Sequence, residues 1–258
     1  MPSEIVATSE SADRRTRKRD ARRQDLLDLA LELSDRLGVE GVTMAALAEA
    51  ADYATASLYT YFESRSALLA ALQQRALETL GTVTEDALAA WEATLAAAAA
   101  TPPGPQVAAL TRLWVFSDLF LAAPHTHTRE FRLQQQLLAA PGVQETGDAL
   151  TVLPAAMSVL DRPRRLLADA VAAGALAPHD PATDPIDQPL DGDLLRTLAW
   201  VSALNGVLLL DGLGAGVPTT GAALGGELSE ALLRGWGAKA DHLRAARTAT
   251  HGWVADHA

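Results

Sequence analysis

Apolar positions along this chain recur at helical spacing. Between Asp20 and Leu37, the residues Leu26, Ala30, Leu33 and Leu37 fall on one face of a helix, and Gly38 follows as its stop. Thr43 then offers a hydroxyl to cap a second helix over 44–51, with Leu47 and Ala51 turned inward. After Asp52-Tyr53-Ala54 a third short segment runs from Thr55 to Phe62, and Ser64-Arg65 opens a fourth helix toward Leu80. Two short helices across a three-residue turn form a helix-turn-helix unit.

The pattern continues with helices expected near 83–100, 106–123, 128–140, 144–158 and 162–174. Their boundaries are set by Pro102-Pro103-Gly104, Pro124, Pro141-Gly142 and Asp161-Arg162-Pro163. Pro178 to Asp193, rich in proline and acid, reads as a connection without regular structure, and two last helices follow over 193–213 and 222–248. Alanine and leucine are abundant and no alternation of period two is sustained, so the fold class is all-α.

Composition and charge sharpen the picture. At 258 residues and 49% hydrophobic content the chain can bury a sizeable core. With no cysteine it can form neither a disulfide scaffold nor a thiolate metal site nor a thiol nucleophile. The N-terminal stretch lacks the apolar core of a signal peptide, and Val201 to Leu210 is too short to cross a bilayer, so a cytoplasmic protein is expected. Charge is unevenly placed. The net charge is -11, yet Arg14, Arg15, Arg17, Lys18, Arg19, Arg22 and Arg23 crowd one segment against a single acid, Asp20.

Residues Arg22 to Ala76 resemble the DNA-binding domain of the TetR (tetracycline-repressor-like) family of bacterial transcriptional regulators. The resemblance rests on the first-helix pattern, the breaks at Gly38 and Gly41, and the Val42-Thr43 entry to the second helix. It rests equally on the Leu58-Tyr59-x-Tyr61-Phe62 block and the Ser64-Arg65-x-x-Leu68 start of the fourth helix. It implies a helix-turn-helix three-helix DNA-binding domain over 20–75 and a larger helical regulatory and dimerisation domain over 76–258; the charge ahead of them reads as a basic, flexible arm over 1–19. Carried over residue by residue, the DNA contacts fall on Thr43, Thr55, Ala56, Ser57, Tyr59, Thr60, Tyr61 and Arg65. The remaining two-thirds resembles the family only in length and helical character.

These residue types suit the role on physical grounds. A recognition helix needs small polar side chains on its exposed N-terminal face, to enter a major groove ~12 Å wide, and apolar ones to seat it. Thr55 and Ser57 suit the first task, Leu58 and Phe62 the second. The hydroxyls of Tyr59 and Tyr61, the helix starts at Thr43 and Ser64, and the charge of Arg65 suit phosphate oxygens. Three positions depart from the family pattern: Asp52 stands where glycine is usual, Ala54 where serine or threonine caps the recognition helix, and Thr55 where lysine is usual. The cap alone is worth about 1 kcal/mol. The basic residues 14–23 are therefore expected to add contacts, to phosphates or in the minor groove.

For the C-terminal part the resemblance implies a homodimer through the last two helices. The stripes Leu194, Leu198, Val201, Asn205, Leu208 and Leu224, Leu228, Ala231, Leu232, Gly235 would pair as a four-helix bundle. It also implies a small-molecule ligand among the middle helices, where Trp91, Trp114, Phe116, Phe120 and Phe131 lie, with His127, Gln135 and Asn205 as polar partners; His125, Gln134 and Gln136 are further candidates. His125-Thr126-His127 lacks the further ligands of a metal site. No phosphate loop, nucleophile elbow or Glu-x-x-His pairing is present, so neither a catalytic residue nor a cofactor is expected. The expected function is a homodimeric repressor released from a palindromic operator by a ligand. A ligand-independent architectural DNA-binding protein, or a helical carrier or enzyme, are the alternatives.

Overall fold

The computed structural model describes residues 3–98, 103–139, 146–179, 193–212 and 221–250, and all regular structure among them is α-helical. In chain order the helices are α1 (Ser3–Gly41), α2 (Met44–Ala51), α3 (Thr55–Leu58), α4 (Arg65–Ala98), α5 (Pro105–Thr126), α6 (Thr128–Ala139), α7 (Thr146–Ala172), α8 (Asp193–Gly212), α9 (Gly221–Gly235) and α10 (Ala240–Thr250). They divide into two compact units, one of Met1–Leu77 with Arg129–Ala155, the other of Glu78–Thr128 with Ala156–Ala258.

The first unit closes over Leu26, Leu27, Ala30 and Leu33 of α1, Leu47 of α2, Leu58 of α3, Phe62, and Leu68, Leu69 and Leu72 of α4. Leu133 and Leu137 of α6 join the same core, and Arg129 of α6 pairs with Asp35 of α1 at 2.5 Å. Leu37, expected on the inner face of the first helix, is 57% exposed. The chain leaves helical geometry at Gly38 (φ 72), so the buried stripe ends a turn earlier, at Leu33, and Val39 and Val42 take over as core residues beyond the break.

The second unit is built on α5, whose Leu110, Leu113, Trp114, Val115 and Phe116 are buried among Leu88 and Trp91 of α4, Leu166, Leu167 and Ala170 of α7, and Leu243 and Ala246 of α10. Trp200 of α8 is fully buried, its ring tilted against Phe116 at 5.1 Å. Its indole N–H donates to the Ser229 hydroxyl at 3.1 Å, which lies 2.9 Å from the Ser117 hydroxyl, so polar groups of three helices satisfy one another inside the core. Among the described residues α5 is the one helix long and apolar enough to cross a membrane; here it is the central element of this core.

Several expected boundaries differ. The fourth helix and the next expected one, from 83 onward, are a single helix, α4 (Arg65–Ala98), because nothing between them removes a backbone donor and the single glycine, Gly81, costs only about 1 kcal/mol against alanine. Helix α7 likewise continues through Pro163, which is buried one turn ahead of the core residues Leu166 and Leu167. Conversely, the single expected helix 222–248 is two. Gly237, at φ 98, is the left-handed residue after α9, where Ala238 N–H reaches the Leu233 carbonyl and Gly237 N–H the Arg234 carbonyl, a Schellman closure. The breaks expected at Pro102 and Pro141-Gly142, and nearly all of the connection from Pro178 to Asp193, lie outside the described residues.

The stripe expected on α8 is offset from the buried one. Leu194, Thr197, Trp200, Leu204 and Val207 face the core, so Leu194 belongs to the interior, whereas Leu198, Leu209 and Leu210 are exposed and Val201, Asn205 and Leu208 half-buried. On α9 Leu228, Ala231 and Gly235 are exposed, and Leu224 and Leu232 are half-buried against the core.

Candidate nucleic-acid interface

Helix α2 starts as its sequence demands. Thr43 Oγ1 accepts the Ala46 N–H at 3.1 Å, and Met44, Leu47 and Ala48 are buried. It ends in a second Schellman closure, Tyr53 N–H to the Ala48 carbonyl at 2.9 Å and Asp52 N–H to Glu49 at 3.3 Å. This geometry requires a left-handed residue, and Asp52 adopts it (φ 56, ψ 49), the one non-glycine residue with positive φ among the described residues. Aspartate is among the side chains that tolerate this region best, so the turn survives without glycine.

Helix α3 is only Thr55–Leu58, shorter than the expected 55–62, and Ala54 supplies no side-chain cap. Beyond Leu58 the chain turns with bonds of mixed span, Thr60 N–H to Ser57, and Tyr61 and Phe62 N–H both to the Leu58 carbonyl. Leu58 and Phe62 are buried and fix the segment to the core, while Thr55, Ala56, Ser57, Tyr59 and Thr60 are exposed. The Thr60 hydroxyl bonds the Ser57 carbonyl at 2.7 Å, and Tyr61 is half-buried against the core. Ser64 caps α4 through the Ala67 N–H at 3.0 Å.

Arg65 is held from both sides of the α1–α2 link. Its Nε donates to the Val42 carbonyl at 2.7 Å and Nη2 to the Val39 carbonyl at 2.8 Å. The basic segment, expected as a separate arm, is α-helical and continuous with α1, and Arg14, Arg15, Arg17, Lys18 and Arg19 are exposed along it. Arginine, alanine, glutamate and lysine are good helix formers, and no proline or glycine interrupts residues 3–37. Three of its arginines meet the helix-turn-helix. Arg19 Nη2 donates to the Thr60 carbonyl at 2.8 Å, Arg22 Nε donates to the Tyr53 hydroxyl at 2.8 Å, and the Arg23 guanidinium lies 5.2 Å from the Phe62 ring centroid. The bond to Tyr53 holds the Arg22 pKa above its ordinary value. Tyr53 is not among the residues that the sequence singles out; a lone turn tyrosine 31 positions from its partner carries no periodic signal.

The expected ligand residues are divided between the two units. Trp91, Trp114 and Phe116 are buried in the second unit's core, where Phe120 and Asn205 are half-buried and Asn205 bonds the Val201 carbonyl at 3.0 Å. His127 is half-buried and closes α5 through its N–H to the Ala123 carbonyl. Phe131 and Gln135 lie on α6, in the first unit, with Gln134 and Gln136. One charged cluster of the second unit has no signature in the sequence. Arg247 of α10 stands 5.4 Å from the Trp114 ring and 3.4 Å from Glu230, and Asp118 of α5 is pushed up to about 6 by burial, with Arg247 pulling the other way.

Residues 26–72 match the sequence profile described as bacterial regulatory proteins, tetR family. No curated protein sequence matches the chain. Among solved structures, one of a protein of unknown function from Rhodococcus sp. RHA1 is 21% identical, with a TM-score of 0.58 over 83% of this chain and 94% of that one. RolR in complex with resorcinol is 20% identical, with a TM-score of 0.56 over 92% and 96% of the two chains. SmeT, the repressor of the Stenotrophomonas maltophilia multidrug efflux pump SmeDEF, is 16% identical, with a TM-score of 0.54 over 85% and 92%. At these identities the likeness establishes the fold.

Proposed function

We propose that this chain, a tetR-family transcriptional regulator by the domain in residues 26–72, is a cytoplasmic, non-enzymatic homodimeric repressor that leaves a palindromic operator when a small molecule binds its C-terminal part. The observation that carries the reading is α3 itself. Thr55, Ala56, Ser57 and Tyr59 stand exposed on a segment anchored by the buried Leu58 and Phe62, the arrangement a major groove can receive. The exposed Arg14, Arg15, Arg17 and Lys18 supply counter-charge for phosphates.

Two copies would have to present their α3 segments one DNA turn apart, ~34–36 Å. The exposed Leu198, Leu209 and Leu210 of α8 and Leu228 of α9 support dimerisation through these helices. That RolR holds resorcinol and SmeT is a repressor supports a small-molecule ligand and a negative sign of control. Trp91, Trp114, Phe116, Phe120, His127 and Asn205 of the second unit remain the ligand candidates, and a ligand would act by binding the DNA-incompetent conformation more tightly.

Selection of duplexes from a random library at physiological salt, with the full chain and with a chain lacking residues 1–19, tests this reading. An enriched palindrome is expected. Deletion should weaken binding and flatten its salt dependence by ~0.9 in log–log slope for each phosphate that residues 1–19 neutralise. Binding without enrichment would favour an architectural protein, and a monomer in sedimentation at micromolar concentration would refute the dimer.

A further inference from the structure

We infer that Arg22 and Arg19 are positioning residues, two guanidiniums on α1 that hold the two flanks of α3 in place of the cap it lacks. The inference rests on the reading of α3 as the segment that meets DNA. Helix α3 has four residues, far below the length at which a helix sustains itself, and Ala54 provides no side-chain hydrogen bond. Its conformation must come from its flanks. Ahead of it Tyr53 receives the Arg22 Nε at 2.8 Å, and the Arg22 guanidinium lies 4.8 Å from the same ring. After it the Thr60 carbonyl receives Arg19 Nη2 at 2.8 Å. The two arginines are three residues apart, on one face of α1, so a single rigid helix addresses both flanks. Asp25, 3.4 Å from Arg22 Nη1, orients that guanidinium from the next turn.

This assignment separates these two arginines from the exposed cations with which the sequence groups them. A phosphate contact acts through its charge and contributes to the salt dependence of binding; a positioning contact acts through geometry and does not. The side chains available for substitution distinguish the two. In Arg22→Gln an amide nitrogen stands as many bonds from the backbone as Nε does, keeping a donor and losing the charge; Arg22→Met keeps the side chain out to the position of Nε and loses both.

The test uses the full chain and the duplex it selects. Arg22→Met and Tyr53→Phe should each weaken specific binding about tenfold with an unchanged salt slope, and the double variant should be no weaker than either single one. Arg22→Gln should stay within about threefold of wild type, and Arg19→Met should follow Arg22→Met with a smaller loss. Hydrogen exchange of the free protein supplies a readout without DNA: in Arg22→Met and Tyr53→Phe the Ser57 and Tyr61 amides should exchange faster, while those of α2 keep their protection. If Arg22→Gln loses as much as Arg22→Met and the slope falls by ~0.9, Arg22 is a phosphate contact and the inference is wrong. Unchanged exchange and affinity in Arg22→Met overturn it equally. Faster exchange in variants of a wild type that selects no duplex would leave the clamp standing and remove the DNA-binding reading.

Discussion

Arg65 is bound to Val42: the guanidinium Nε donates to the Val42 backbone carbonyl at 2.7 Å, and the same group reaches Val39. A side chain whose charge suits phosphate thus also ties the start of α4 to the link that orients α2. Arg65→Ala should lower stability by about 2 kcal/mol, the usual worth of hydrogen bonds to a charged group, and Arg65→Lys should restore less than half because an ammonium cannot reproduce the fork. Urea midpoints at constant m-value measure this. A stability equal to wild type would leave Arg65 with no role in the fold.

The two departures beside α3 predict unequal responses to repair. Ala54→Ser restores the missing cap and should stabilise by about 1 kcal/mol. Asp52→Gly should gain less, about 0.5 kcal/mol, because relief of the left-handed backbone is offset by the added freedom of the unfolded chain. Asp52→Val should cost more than about 1 kcal/mol. Thermal or urea unfolding of the three variants ranks them.

Asp118 makes stability depend on pH. Burial pushes its carboxyl up from an ordinary 3.8 to about 6 in the folded chain, so the native state binds the proton more tightly and ionisation increasingly opposes folding as the pH rises from about 4 to about 6. The penalty is complete above that value and fades as the pH falls toward about 4. Asp118→Asn should therefore be more stable than wild type at pH 8, by on the order of 2–3 kcal/mol, with the difference vanishing near pH 4. A difference independent of pH would show that packing, not ionisation, distinguishes the two.

The core polar trio makes a further prediction. Ser229→Ala removes the partner of the buried Trp200 indole N–H and should cost about 2 kcal/mol. Adding Ser117→Ala should cost less than its single effect, because the Ser117–Ser229 hydrogen bond is already gone. Additive losses would mean that the two hydroxyls act independently.

Much of this was legible in the residue order. The Thr43 cap, the turn at residues 52–54, the buried Leu58 and Phe62 and the exposed Thr55 and Ser57 all follow from local pattern, and the structure has them. Proline and glycine are uneven guides to the boundaries. Pro163 stays inside α7, since the cost of one missing hydrogen bond is offset by packing that the local sequence does not display. Gly237 does break the last segment, because its closure satisfies the final carbonyls of α9.

The sequence by itself determined the all-α class, the helix-turn-helix and the likeness of residues 26–72 to the tetR-family profile, for these depend on spacing within a few turns, where periodicity, caps and turn residues act directly. Only the tertiary structure decided that Arg22 and Arg19 address Tyr53 and Thr60, that α6 completes the first core, that Leu194 faces inward while Leu198 does not, and that Trp200 finds Ser229. Each of these pairs residues 29 or more positions apart or depends on the rotation of one helix by less than a turn. An arginine, a tyrosine or a buried serine has the same local signature whatever it will meet, so its partner is chosen by how whole helices pack.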